Sequence, residues 1–247
     1  MEAELIFCED TRVTKKLLNL LGERNNLDFS NKEYKSFHSH NEDKILKTLT
    51  KETFTKNVVY VSDAGMPCVS DPGATLVEFC IQNEIPYDVL PGANAILTAY
   101  AMSGFAHTTF SFYGFLDHKG VSRASKLDDI LNDDKLSILY ESPHRLLKLL
   151  EELSIKDANR TIFLAKEITK LHQNSYKDTS LNLFEKFKDI NIRGEWVVII
   201  EPKETIGFNL DLDDILSLDI APKIKAKLIA KMTGQSIKDV YQKLLEN

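Results

Sequence analysis

"VSDAGMPCVSDPGATLV", residues Val61–Val77, packs two aspartates, two glycines and two prolines into one connection between a β-branched run and a helical period. The chain has only 10 glycines and 7 prolines in 247 residues, so this loop is shaped for more than a reversal of direction. Gly65 and Gly73 admit left-handed backbone and close approach of a ligand to N–H groups. Pro67 and Pro72 stiffen the loop, so less entropy is lost when something binds. The preceding "NVVYVS" (Asn57–Ser62) reads as a strand and the following Thr75–Gln82 as an amphipathic helix. "PYDVLPGANA" (Pro86–Ala95) repeats the pattern: a predicted strand Tyr87–Leu90, a Pro91-Gly92 turn, then a helix Ala95–Met102.

Strands alternating with helices predict parallel pairing and an α/β sheet. Upstream, "AELIFCED" (Ala3–Asp10) reads as a buried strand, Val13–Leu21 as a helix stopping at Gly22, "KEYKSFHS" as a weaker strand, and Glu42–Leu49 as helical. Downstream of Gly104 the character changes. "TTFSFYGFL" (Thr108–Leu116), "LSILYESP" (Leu136–Pro143), "RTIFLAKEI" (Arg160–Ile168) and "GEWVVIIEP" (Gly194–Pro202) form a second set of strands. Ser142 is the expected cap of a helix His144–Leu153, with Pro143 at its first position. Ser180–Phe187 is a further expected helix. The predicted division is 1–104, 105–203 and 204–247. The last part is an acidic stretch, Lys203–Asp219, followed by two short helices about Gly234.

In an open parallel sheet, ligands bind beyond the carboxyl ends of the strands. The loops Ser62–Gly73 and Pro91–Asn94 both lie there, which points to a polar small molecule, with Asp63 placed to receive hydroxyl or ammonium groups. GxGxxG and GxxxxGK[ST] are both absent, so neither a nicotinamide site nor a triphosphatase is indicated. His38-x-His40 is a poor metal proposal, and Ser142-Pro143-His144 lacks the glycines of a nucleophile elbow. Three cysteines without a CxxC argue against a disulfide framework. No apolar run is long enough to cross a bilayer and there is no basic-then-apolar leader, so no membrane partner and a cytoplasmic location are expected. The net charge is -6, yet Pro222–Asn247 carries six lysines against Asp239 and Glu246; such asymmetry can mark a polyanion-facing tail, while charge alone favours a solvated amphipathic helix with lysines on its outer face.

"CEDTR" (Cys8–Arg12), "SDAGMPCVSDPG" (Ser62–Gly73), "LPGANAILTA" (Leu90–Ala99), "YGFL" (Tyr113–Leu116), "YESPHRL" (Tyr140–Leu146), "AKEITKLH" (Ala165–His172) and "GEWVV" (Gly194–Val198) occur in this order. Together they resemble the small-subunit ribosomal RNA methyltransferase I family, within the tetrapyrrole-methylase superfamily, over nearly the whole chain. The resemblance implies S-adenosylmethionine-dependent methylation of a cytidine ribose 2′-oxygen in the decoding region of 16S rRNA, within the small ribosomal subunit. It implies a homodimer of two-domain α/β chains, with a parallel-sheet first domain, a mixed-sheet second domain and a C-terminal helical appendage.

By the same resemblance, Asp63, Ala64 and Gly65 lie nearest the methionine part of the cofactor, and Thr98 and Ala99 flank it. Tyr140, Glu141, Gly194, Glu195 and Trp196 are expected around the adenosine. Met66, Asp117, Lys166 and Gln173 depart from the family's usual threonine, proline, arginine and glutamate. The family also begins with a further strand, a Thr-Pro-Ile-Gly-Asn-Leu loop and a helix, roughly 25 residues. By the resemblance, the first domain here is expected to lack that strand, which belongs between the strands ending at Ser62 and Leu90; either the natural chain starts upstream, which is the expectation, or the fold tolerates the gap, or this version is inactive.

A ribose hydroxyl is too weak an acid to ionise unaided at neutral pH. Glu167 is the expected general base, with Lys166 or Lys170 steadying the oxyanion or a phosphate; Glu9, Asp10 and Arg12 form a second cluster. Arg12, Arg123, Lys126, Arg145 and the C-terminal lysines are the expected RNA contacts, with Tyr113 and Phe115 as stacking candidates. A tetrapyrrole-precursor methyltransferase on the same scaffold and a non-catalytic ribosome-binding protein are the alternative readings.

Overall fold

The computed structural model describes residues 2–203 and 211–246; residues 204–210 of the acidic stretch lie outside it. The chain divides into two compact units, Met1–Pro202 and Lys203–Asn247. The first unit contains two sheets. β1 (Leu5–Cys8) is central in the smaller one, flanked in parallel by β2 (Glu33–Ser36) and β3 (Val58–Val61). Helix α1 (Thr11–Asn25) joins β1 to β2. It runs through Gly22, where a stop was expected, and ends at Asn26 in left-handed conformation, whose N–H donates to the Gly22 carbonyl. Gly22 serves close packing instead, since a Cβ there would sit 2.6 Å from the Leu27 oxygen.

α2 (Glu42–Leu46) and α3 (Ala74–Gln82) flank β3 in the chain. Phe7, Phe37, Leu49 and Leu76 form the core on one side of the small sheet, and Ala3, Ile6, Leu18 and Phe29 the core on the other. Among the described residues, the outer edge of β3 has no partner strand. The predicted strand at Tyr87–Leu90 does not form; Tyr87, Val89 and Leu90 stay exposed. With no neighbouring ladder to satisfy its N–H and C=O groups, the segment gains nothing from extending into a strand.

The second sheet has the order β4-β5-β8-β6-β7. α4 (Ala95–Ser103) precedes it; β4 (Phe110–Phe115), α5 (Val121–Asn132) and β5 (Leu136–Glu141) make a parallel crossover. After α6 (Pro143–Lys156) come β6 (Thr161–Lys166), β7 (Asn174–Thr179), α7 (Ser180–Phe187) and β8 (Trp196–Ile200). β8 lies antiparallel to both β5 and β6, and β7 is antiparallel to β6, so the sheet is mixed. Strand alternation sorts the core cleanly. Trp196, Val198 and Ile200 face Leu127, Leu149 and Leu183 of α5, α6 and α7, whereas Val197 and Ile199 face Ile96 and Ala99 of α4. The sequence reading assigned α4 to the first domain; in the structure its apolar face covers the five-stranded sheet.

The second unit holds α8 (Leu212–Ser217), α9 (Pro222–Thr233) and α10 (Ile237–Glu246) around Ile215, Ala226, Ile229, Ala230 and Val240. Gly234 closes α9 in left-handed conformation, φ 71°. Among the described residues, no helix is long and apolar enough to cross a membrane.

Candidate active site

Loops at the carboxyl ends of β3, β5 and β6, the end of β4, and the start of β8 surround a cleft of about 420 Å³. The loop after β3 contributes Ala64, Gly65, Met66, Ser70 and Asp71, and the start of α4 contributes Asn94 and Ala95. The five-stranded sheet supplies Phe115, Tyr140, Glu141, Ala165, Trp196 and Val197. The segment after β6 adds Glu167, Ile168 and Lys170, with Glu195 beside them.

The Ser62–Gly73 loop takes its shape from four residues at positive φ: Gly65 (76°), Cys68 (67°), Ser70 (65°) and Gly73 (126°). Cys68 and Ser70 carry side chains in a region that L residues rarely occupy, a cost the packing must offset. A Cβ at Gly73 would meet the Tyr60 ring at 2.5 Å, so only glycine fits there. Phe37 packs edge-on against Tyr60, ring centroids 5.6 Å apart, which limits retreat of that ring. The loop composition that stands out in the sequence is thus required by the backbone.

On the opposite wall, Glu167 sits at φ 48° directly after β6. Its N–H donates to the Glu195 carbonyl at 2.9 Å, and its Oε1 accepts the Glu195 N–H at 2.9 Å. The Lys170 ammonium donates to Glu167 Oε1 at 3.1 Å and to Glu195 Oε2 at 2.7 Å. The Glu195 N–H and then Lys170 hold the Glu167 carboxyl below its usual range. Glu167 is therefore an ionised brace between two loops, poorly suited to the proton-accepting role expected for it. Gly194, φ 81°, lets this brace close, because a Cβ there would lie 2.5 Å from Glu167 Cγ. The Lys166 ammonium lies 5.8 Å from the centre of the Trp196 ring, and its charge adds to the lowering of Glu167.

Glu141 ends β5 with its side chain fully buried. Oε1 accepts the Ser142 N–H at 2.8 Å and lies 3.3 Å from Arg145 Nε, while Oε2 has no hydrogen-bond partner among the described residues. Burial raises its pKa, with the Ser142 N–H and Arg145 opposing. Ser142 occupies the cap position of α6 but makes no side-chain cap bond, contrary to expectation. Across the cleft, Asp71 is also raised, by burial first and then by the nearby Glu9 and Asp63 charges.

Of the ten residues expected around a cofactor, Ala64, Gly65, Tyr140, Glu141, Glu195 and Trp196 line the cleft. Asp63 does not: its Oδ1 accepts the Asp10 N–H at 3.2 Å and its own N–H donates to Glu9 Oε2 at 3.4 Å, tying β3 to β1. Thr98 bonds back to the Asn94 carbonyl within α4, and Ala99 is buried under the five-stranded sheet. Gly194 acts through Glu167.

The four expected RNA cations separate likewise. Arg123 is 3% exposed and binds Glu152 and the Asp117 carbonyl, and Arg145 donates to the Leu116 and Asp117 carbonyls. Both hold the β4–α5 connection rather than facing solvent, because partners 29 residues away in the chain fold onto them. Arg12 remains exposed, ion-paired at 2.6 Å with Asp10, whose pKa it lowers to about 2. Lys126 is half-buried on α5. Tyr113 packs against the core with its hydroxyl donating to Asp133, whereas Phe115 is exposed at the cleft. Met66, Ser70, Asp71, Asn94 and Ile168 also line the cleft; their only signal in the sequence is membership of the same loop motifs. Among the described residues no group of His, Cys, Asp or Glu is arranged to hold a metal.

Known proteins place this arrangement. The family model described as Tetrapyrrole (Corrin/Porphyrin) Methylases matches residues 1–183. A Campylobacter fetus protein named Ribosomal RNA small subunit methyltransferase I is 44% identical over 244 residues, 98% of this chain and 90% of its own length. A Helicobacter pylori protein of the same name is 41% identical over 257 residues, again 98% of this chain and 90% of its own length. Among solved structures, a cobalt precorrin-4 methyltransferase superposes with TM-score 0.55 at 15% identity, covering 81% of this chain and 84% of that one. A Thermus thermophilus uroporphyrin-III C-methyl transferase complexed with S-adenyl homocysteine gives 0.51 at 15% identity, covering 81% and 86%. These two likenesses concern the fold. Fold and sequence agree: the chain belongs to the tetrapyrrole methylase family and, within it, to the ribosomal RNA small subunit methyltransferase I family.

Proposed function

We propose that the chain methylates a cytidine ribose 2′-oxygen in the decoding region of 16S rRNA, using S-adenosylmethionine, on the small ribosomal subunit in the cytoplasm and as a homodimer. The observation that carries this reading is the match along 98% of the chain to relatives named for rRNA methylation. The cleft supports the cofactor. Its volume falls within the range of small-molecule sites, Tyr140 and Phe115 offer apolar faces, and among the described residues the buried Glu141 Oε2 lacks the donor that an amino or hydroxyl group would bring. Gly65, Tyr140, Glu141 and Trp196 would hold S-adenosylmethionine, which when bound supplies an electrophilic methyl group.

The chain's own residues must orient the ribose and stabilise its oxygen as the proton leaves. Lys170 is the group placed for that stabilisation. Two carboxylates anchor its ammonium, and an ammonium has three donors, so one remains for an oxygen in the cleft. Glu167 is then a positioning residue, aiming Lys170 and locking the Glu195 loop. A preorganised cation of this kind contributes more inside a cleft than in water.

The test is methylation of small subunits lacking the modification, with the product nucleoside identified after digestion. Formation of 2′-O-methylcytidine is the expected result. Methylation of a base, or transfer only to a porphyrinoid acceptor, would refute it. Lys170→Met is expected to lower kcat by about a hundredfold while leaving cofactor affinity within a factor of a few.

A further inference from the structure

The C-terminal segment of this chain is locally basic. Pro222–Asn247 has six lysines and two acids in a chain of net charge -6. These residues belong to the separate Lys203–Asn247 unit, beyond the 1–183 segment matched by the methylase model. The core of that unit determines which face of α9 points outward. Ala226, Ile229 and Ala230 face inward against Ile215 and Val240. Lys223, Lys227 and Lys231 consequently form one exposed row at four-residue intervals, with steps of about 6 Å along the axis.

Local stability does not explain this row. Lys223 lies in the first turn of α9, which has no acidic residue, so its charge opposes the helix dipole. Successive lysines four apart on one helix face repel each other. Among the described residues none of the three is in a salt bridge. Lys225 is different: it donates to the Leu216 carbonyl at 2.6 Å and bridges α8 to α9. Lys231 in the last turn suits the dipole, but Lys223 opposes it and the four-residue spacing brings like charges together, with no carboxylate paired to the row among the described residues; that is the pattern of a surface kept for a partner. Meanwhile Arg123 and Arg145, the obvious cations near the cleft, are spent on internal bonds.

We propose that the Lys223–Lys227–Lys231 face of α9 binds the phosphate backbone of the substrate RNA, so that the C-terminal unit supplies affinity and the cleft supplies chemistry. This rests on the rRNA reading above. A row of unpaired ammonium groups is what phosphates neutralise, with release of counterions. Exposed Ile224, Leu228 and Met232 run beside the row and would also suit an anionic bilayer. The match of rRNA-named relatives to 98% of the chain decides for RNA.

The test compares the full chain with the triple variants K223Q/K227Q/K231Q and K223R/K227R/K231R. Binding to small subunits is titrated between about 50 and 200 mM salt. Calorimetry with S-adenosylmethionine and single-turnover methylation at saturating RNA run in parallel. The glutamine variant should bind RNA at least about tenfold more weakly, with a log–log salt slope shallower by about 2. Its cofactor affinity and saturated rate should match the parent, and the arginine variant should bind like the parent. If the parent methylates RNA while the glutamine variant keeps its affinity and slope, this inference alone is overturned. If the parent neither binds nor methylates RNA, the function proposed above fails with it. Lysine-dependent binding to phosphatidylserine vesicles, with RNA affinity unchanged in the glutamine variant, would assign the row to a membrane and overturn the inference.

Discussion

The two sheets of the first unit are built to different standards. In the five-stranded sheet, β8 is buried along its whole length, and β5 and β6 nearly so, because α5–α7 cover one face and α4 covers part of the other. In the three-stranded sheet only β1 is fully buried; β2 and β3 are partly exposed, and β3 has an open edge. The cleft draws on both. Its floor and far wall are strand ends of the rigid sheet, while its near wall is the left-handed-rich loop hung from β3. The difference teaches where the site can respond to a ligand: the strained loop sits on the weaker sheet, and the Glu141 and Lys170 groups sit on the stronger one.

The largest effect expected is in the cores. Leu149→Ala, fully buried under the five-stranded sheet, should cost about 2–5 kcal/mol in urea unfolding. Leu76→Ala under the small sheet, 7% exposed, should cost visibly less. Equal costs would break the comparison. Next comes loop strain. Gly73→Ala drives a Cβ against the Tyr60 ring at positive φ, a cost of about 1–3 kcal/mol together with weaker binding of S-adenosylmethionine by calorimetry. Gly92→Ala, with no atom within 4 Å of its Cβ, serves as the control and should leave affinity unchanged.

Glu141 and Glu167 sharpen the contrast through pH. Burial raises Glu141 above 4.5, so its contribution to stability is full below 4.5 and declines as pH rises through the folded-state value. Glu141→Gln should therefore gain melting temperature relative to the parent between acid and neutral pH. Glu167 is lowered, so its contribution is present above 4.5 and lost as pH falls through its folded-state value. Glu167→Gln should be less stable than the parent at neutral pH and should converge with it in acid. Opposite slopes in a pH series of melting curves are the expected outcome; parallel slopes would show that the two carboxyls share one environment. The smallest effect is at the open edge: Val59→Thr, at a position already 37% exposed, should stay within about 0.5 kcal/mol.

Much of this was legible in the sequence. The strand, loop and helix at Asn57–Gln82 appear as read, because β-branched runs, glycines and helical periods act over a few residues. The cleft-lining motifs after β3, β5 and β6 were legible too, since each directly follows a recognisable strand. Other features were not. α5 escaped notice because its apolar positions are interrupted by charges, among them Arg123, which becomes buried only once Glu152 reaches it. β7, "NSYKDT", is a polar edge strand whose pairing with β6 carries no alternating apolar signal. Tyr87–Leu90 has the composition of a strand and no ladder to join.

By itself the sequence determined the α/β alternation, the two loops beside the cleft, the family and the basic C-terminal helices. All of these are written in residues close together in the chain. Only the tertiary structure decided that Asp63 ties two strands, that Glu167 braces Lys170 and Glu195, that Arg123 and Arg145 are internal, and that α4 serves the second sheet. Each of those outcomes depends on a partner tens of residues away. A charge or an apolar face has no role until folding determines what stands opposite it.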